Sequence, residues 1–127
     1  MRAITSRFIL AFGLLLLTSM TASAQLTPLS TWRNDLGSIL TVWMVAGTTF
    51  SGTFTNFAPG YSCQGIPYPA AGRVYANGAV RFVVNFTNCS TVTTWSGRVI
   101  GPRMPTRWVL IYKGRRMTGA NLFTRLL

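Results

Sequence analysis

Val80-Arg81-Phe82-Val83-Val84-Asn85-Phe86 carries an apolar side chain at every even position, with Arg81 and Asn85 among the residues between them. Successive side chains of a strand point to opposite faces, so this segment reads as a strand whose even face is buried. The same logic works outward along the chain. Arg107 and Lys113 belong in water, which turns Thr106, Trp108, Leu110 and Tyr112 inward, and Arg98 likewise turns Thr91, Thr93, Trp95, Gly97 and Val99 inward. Upstream, the serine and threonines around Ser51 form one face and leave Phe50, Gly52, Phe54 and Asn56 inside. After Thr27-Pro28 the chain is rich in Val, Thr, Phe, Trp and Tyr with regular Gly, Asn and Pro punctuation, and helical spacing is absent there. Strands are predicted over residues 31–34, 38–45, 49–56, 71–76, 79–86, 91–100, 106–113 and 118–126. Eight short strands in a single domain imply an all-β antiparallel barrel or sandwich. Phe57 to Pro69, with three prolines and two glycines, is predicted to be a long loop.

Composition narrows the function. Asp35 is the only acidic residue against twelve Lys and Arg, and histidine is absent. General acid/base catalysis and hydrolytic metal sites both need several His, Asp or Glu groups, and Tyr, Ser and Lys113 lack an activating base. The chain therefore reads as a binder, not an enzyme, with no metal and no cofactor. Arg2 and Arg7, the apolar run Phe8 to Leu17 and the small residues Ala22-Ser23-Ala24 fit a secretory signal peptide at 1–24, leaving one domain at 25–127 that is secreted or periplasmic. The run is shorter than the ~20 residues of a membrane-spanning helix, and no other stretch is long enough to span. In an oxidising compartment Cys63 and Cys89, with no odd thiol left over, read as a disulfide, two free buried thiols being the other possibility. Without the signal, ten basic residues and Asp35 give a net charge of +9. Such a surface attracts polyanions whatever its purpose, although the basic residues are scattered apart from Lys113, Arg115 and Arg116.

An inward face carrying Asn56, Thr91, Thr93, Trp95 and Trp108 is not a plain apolar core. Aromatic walls with a few hydrogen-bonding groups suit a small-ligand cavity, while a structural polar network around internal water is the alternative. Five pieces, in order along the chain, then resemble the avidin and streptavidin biotin-binding proteins: Trp32-Arg33-Asn34-Asp35-Leu36-Gly37-Ser38, Ser51-Gly52-Thr53-Phe54, Thr93-Thr94-Trp95-Ser96-Gly97, Trp108-Val109-Leu110 and Gly119-Ala120-Asn121-Leu122-Phe123-Thr124-Arg125. A further run, Cys63 to Val74, resembles rhizavidin and the short dimeric avidins, whose equivalent cysteine bridges to one placed like Cys89.

The resemblance implies an eight-stranded antiparallel up-and-down β-barrel holding biotin at one open end. It implies that Asn34 and Ser38 donate to the ureido oxygen and that Asn56 and Asn121 accept from the two ureido NH groups. Thr93 would face the thiophene sulfur, and Phe86, Trp95, Trp108 and Leu110 would form the apolar box. Thr91 and the backbone of the Phe57 to Pro69 loop would meet the valerate carboxylate. Phe54 stands where the family typically has a tyrosine donor, and Phe86 where a tryptophan is common, so a reduced affinity is expected. The Lys113 to Thr118 connection is too short to lend a tryptophan to a neighbouring subunit, which favours a homodimer. Trp32 and Arg125 are expected to be structural, stacked as a cation–π pair at the barrel bottom, and Asp35 is expected to brace the turn that follows it. Trp43 should point outward beside Ile39 and Val45, at a subunit interface or as an isolated surface residue. The alternative function is a cationic barrel that binds single-stranded nucleic acid or anionic surfaces, which would need outward aromatics and a steep salt dependence.

Overall fold

The computed structural model describes residues 26–127; the signal peptide expected at 1–24 lies outside the described residues. Eight strands follow in order: β1 (Ser30–Asn34), β2 (Ile39–Ala46), β3 (Thr49–Thr55), β4 (Pro67–Val74), β5 (Ala79–Phe86), β6 (Thr91–Arg98), β7 (Arg103–Tyr112) and β8 (Arg115–Arg125). Each pairs antiparallel with the next, and β8 returns to β1, so the sheet closes into an up-and-down barrel. Closure removes the free edges that an open sheet of this composition would present. Among the described residues no helix is long and apolar enough to cross a membrane.

The alternation read from the sequence decides what fills the barrel. Val80, Phe82, Val84 and Phe86 are buried along β5 while Arg81, Val83 and Asn85 face out. Phe82 stacks on Trp95 with centroids 4.9 Å apart, and Phe54 lies 4.6 Å from the same indole. Phe123 closes the cluster from β8, edge-on to Phe82. Burying a ring of this size contributes roughly 1.5–3 kcal/mol, so these four rings together are a substantial part of the core's stabilisation.

Three expectations need correction. Pro67–Pro69 belongs to β4 and not to the loop, and the strand ends at Val74. The reason is one-sided pairing: Pro67 and Pro69 sit opposite Thr55 and Thr53 of β3, whereas the ladder to β5 begins only at Ala70. A proline lacks the N–H that a second neighbour would need, so it fits where only one side is paired. Second, Val45 does not share the outer face with Trp43. A β-bulge between Val42 and Met44 leaves Trp43 and Met44 both exposed and turns Val45 back onto the core. Third, Arg125 is the register partner of buried Trp32 but does not stack on it. Its Nε–H donates to the carbonyl of Leu127 at 2.9 Å, and Trp32 Nε1 donates to Ser30 Oγ at 3.1 Å.

Candidate functional site

The up-and-down order gathers four connections at one end: 35–38, 56–66, 87–90 and the β7–β8 turn at 113–114. Between them a cavity enters the barrel in two chambers. The inner one, about 70 Å³, is lined by Asn34, Ser38, Phe54, Asn56, Phe86, Thr93, Trp95, Trp108, Leu110 and Asn121. The outer one, about 270 Å³, shares Asn56, Phe86 and Leu110 with it and adds Thr91. All eleven residues singled out from the sequence as ligand contacts are thus brought together, ten around the inner chamber and Thr91 only at the outer one.

The polar groups of the inner chamber are held by hydrogen bonds that fix which way each side chain faces. Asn34 ends β1 and its Oδ1 accepts from the backbone N–H of Leu36 at 3.0 Å and of Ser38 at 2.9 Å. Both lone pairs of that oxygen are used, so the Nδ2 donor is the group left for the cavity. Gly37, at φ 88°, supplies the left-handed residue this tight turn needs. Ser38 Oγ accepts from Phe57 N at 3.0 Å and donates to Asn56 Oδ1 at 3.1 Å, and Ala58 N donates to the same Oδ1 at 3.0 Å.

On the opposite wall, Trp95 Nε1 donates to Asn121 Oδ1 at 3.0 Å, and Asn121 Nδ2 donates to Asp35 Oδ1 at 3.1 Å. Asp35 also accepts from the backbone N–H of Leu122 at 3.1 Å. This corrects the expected role of Asp35. The turn after it is braced by Asn34, while Asp35 reaches across to β8 and sets the orientation of Asn121, so that an amide oxygen and not an amide nitrogen faces Trp95 and the chamber.

The apolar walls are set by pairing. Trp95 and Trp108 are register partners on β6 and β7, and Thr93 pairs with Leu110 one layer nearer the mouth. Trp108 pairs in turn with Gly119 of β8. A Cβ at Gly119 would lie 2.3 Å from the Trp108 indole, so the missing side chain is what lets that ring lie across β8.

Cys63 and Cys89 form a disulfide that ties the 56–66 connection to the one after β5. Gln64 Nε2 adds bonds to the carbonyls of Ala58 at 2.8 Å and Tyr61 at 2.9 Å, and Gly65 N donates to Asn56 O at 2.9 Å. Thr91 Oγ1 donates to the Cys89 carbonyl at 2.9 Å, leaving its oxygen as an acceptor and not a free donor at the mouth. Leu36, Ala58 and Tyr61 also line the inner chamber, and Tyr61, Ser62, Tyr112 and Met117 the outer one. Loop residues carry no strand alternation, so Ala58, Tyr61 and Ser62 had no sequence signal. Tyr112 was legible as inward-facing, and Met117 stands two positions from Gly119 on the same face.

Residues 22–125 match the sequence model of the avidin family. Afifavidin of Afifella pfennigii is 39% identical over 107 residues, 75% of this chain and 67% of that protein. Hoefavidin of Hoeflea phototrophica is 33% identical over 79 residues, 54% of this chain, and the match spans 48% of its length. Among solved structures, the bradavidin2–biotin complex superposes with a TM-score of 0.77 at 46% identity, covering 80% of this chain and all of that one.

Proposed function

We infer that this chain, which belongs to the avidin family, is a non-enzymatic protein that binds biotin, one molecule per barrel at the open end. The observation that carries the reading is the arc of fixed polar groups over an aromatic floor. A ureido group has one strong acceptor and two donors. Asn34 Nδ2 and the Ser38 hydroxyl answer the oxygen, and Asn56 Oδ1 and Asn121 Oδ1 answer the two N–H groups. Bradavidin2, at 46% identity, has been solved with biotin.

The arrangement also accounts for how the site fills. Ser38 has a single proton, given to Asn56 Oδ1 in this structure. On binding, that proton turns to the ureido oxygen, and the lone pair released on Asn56 accepts a ureido N–H. Phe57 N keeps the Ser38 oxygen in place throughout. Asn121 Oδ1 already holds Trp95 and has its second lone pair for the other N–H. Every hydrogen bond given up is replaced, and groups already oriented cost little to reorganise. Phe54 supplies no donor, so the ureido oxygen has two side-chain donors. Thr93 faces the thiophene end, Phe86, Trp95, Trp108 and Leu110 box the rings, and Thr91 lies toward the carboxylate.

The protein works as an exported homodimer, matured by cleavage after Ala24. Support for self-association comes from the outer wall, where Val92 and Ile111 are register partners and Val83 stands on the neighbouring strand, all three exposed. The exposed Trp43 forms a separate patch on β2. Calorimetric titration of the purified domain with biotin tests the reading, and sedimentation gives the assembly state. One biotin per barrel, with quenching or a shift of tryptophan emission and little loss of affinity at high salt, is expected. Absence of heat and of any fluorescence change would refute it. A response to single-stranded nucleic acid that collapses with salt would favour the cationic-barrel reading instead, although Trp95 and Trp108 line the interior and not the outer wall.

A further inference from the structure

The outer chamber is nearly four times the volume of the inner one, about 270 against 70 Å³. Thr91, the residue nearest the carboxylate in the pose above, lines the outer chamber alone, so the carboxylate would sit in the chamber that Tyr112 and Met117 of the β7–β8 hairpin also line. That space has a charged rim. Tyr112 lines it, Lys113 Nζ lies 5.3 Å over the Tyr112 ring, and Arg115 is the register partner of Tyr112. Met117, two residues past Arg115, lines the same chamber, which places Arg115 on the inward-facing side of β8 above it.

These cations have no carboxylate to answer them. Asp35 is the chain's only acidic side chain, and its Oδ1 is turned to Asn121 and Leu122. The hairpin that carries them is also conformationally costly. Lys113 and Gly114 take φ of 47° and 74°, the two left-handed positions of a two-residue turn in which asparagine or glycine is the favoured first residue. A lysine held there is a strained choice for the turn alone, and strain of this kind gathers at functional sites.

We propose, resting on the biotin reading above, that the outer chamber and the basic β7–β8 hairpin form a subsite for a negatively charged group joined to biotin through its carboxyl. The chain is then suited to anionic biotin conjugates and not only to free biotin. An amide or ester at the carboxyl keeps the ureido end in the inner chamber, while carboxylates or phosphates on the tail meet Lys113 and Arg115 at the rim; Arg116, paired with Ile111, faces the outer wall. Apolar surface from Tyr61, Tyr112 and Met117 packs the linker.

The test measures affinity for free biotin and for biotin linked by an amide to tri-glutamate, tri-glutamine and tri-lysine peptides, at low and high salt. At low ionic strength the tri-glutamate conjugate should bind about tenfold tighter than the tri-glutamine one and the tri-lysine conjugate about tenfold weaker, with both gaps closing in ~0.5 M salt. Lys113→Asn suits the turn better than lysine, so its melting temperature should hold or rise while the glutamate preference falls. Lys113→Asn with Arg115→Gln should bring the conjugates within about twofold and leave the tri-glutamine affinity unchanged, whereas Arg116→Gln alone, on the outer wall, should leave the glutamate preference largely in place. A phosphate tail replacing the glutamates tells which anion the rim prefers. Equal affinity for all conjugates with biotin still bound, or a preference that survives the double substitution, would overturn this inference alone. Failure to bind free biotin would overturn the reading of the whole site and this inference with it.

Discussion

Asp35→Ala isolates an interaction by which an exposed side chain orients a buried one. The carboxylate accepts two hydrogen bonds of 3.1 Å, from Asn121 Nδ2 and from the Leu122 backbone. Hydrogen bonds to a charged group contribute ~1.5–3 kcal/mol when shielded, and less where water competes, as it does here. Leu122 is exposed, so its N–H finds water when Asp35 is removed and the fold loses less than about 1 kcal/mol. Asn121 is only 6% exposed and cannot be re-solvated so easily. Freed from Asp35, its amide can rotate, and each orientation that turns nitrogen inward opposes both Trp95 Nε1 and a ureido N–H. The expected loss is about 1–2 kcal/mol of biotin affinity, roughly 5–30-fold, measured by calorimetry or displacement of a labelled biotin. Asp35→Asn keeps one carbonyl acceptor and should lose about half as much. Binding by Asp35→Ala within twofold of the parent would refute the reasoning. So would a fall in melting temperature large enough to account for the lost affinity by unfolding alone.

Phe54→Tyr places a third donor at the ureido oxygen and should tighten biotin by about 1–3 kcal/mol through slower release; a faster off-rate would count against the pose. Reducing the Cys63–Cys89 disulfide frees the 56–66 connection, so biotin should leave faster while the barrel stays folded in far-ultraviolet dichroism; identical off-rates with and without reductant would remove the role of the tether. Tyr68→Phe deletes a buried hydroxyl that has no hydrogen-bond partner among the described residues, on the residue paired with Phe54, so the melting temperature should rise by the equivalent of about 1 kcal/mol; a fall would mean that the hydroxyl has a partner in solution.

From the residues alone, what could be read was whatever depends on alternation, while Asn34, Ser38 and Asn121 came from the resemblance to the family. Val80, Phe82, Val84 and Phe86 identify a half-buried strand without reference to anything else, and the same parity put Thr93, Trp95, Trp108 and Leu110 on the cavity side. The errors fall where a local rule is suspended. The bulge at Trp43 adds one residue and so reverses the parity of Val45. Pro67 and Pro69 looked like loop because the rule against proline assumes pairing on both sides. The partner of Asp35 stands 86 positions away, a distance at which sequence spacing says nothing. Tyr61 entered the site through a loop shaped by Gln64 and the disulfide, where no period operates.

The seam that closes the barrel is its shortest ladder: β1 and β8 share three paired positions, Trp32 with Arg125, Arg33 with Thr124 and Asn34 with Phe123, whereas β7 and β8 share ten. Asn34 lies on one side of that seam and Asn121 on the other, with Asp35 bridging them. A ligand gripped by both asparagines is therefore a stitch across the joint where the cylinder would first come apart. Occupancy should protect the amides of β1 and β8 from hydrogen exchange more than those of β5 and β6, so the small molecule serves this barrel as a removable structural part.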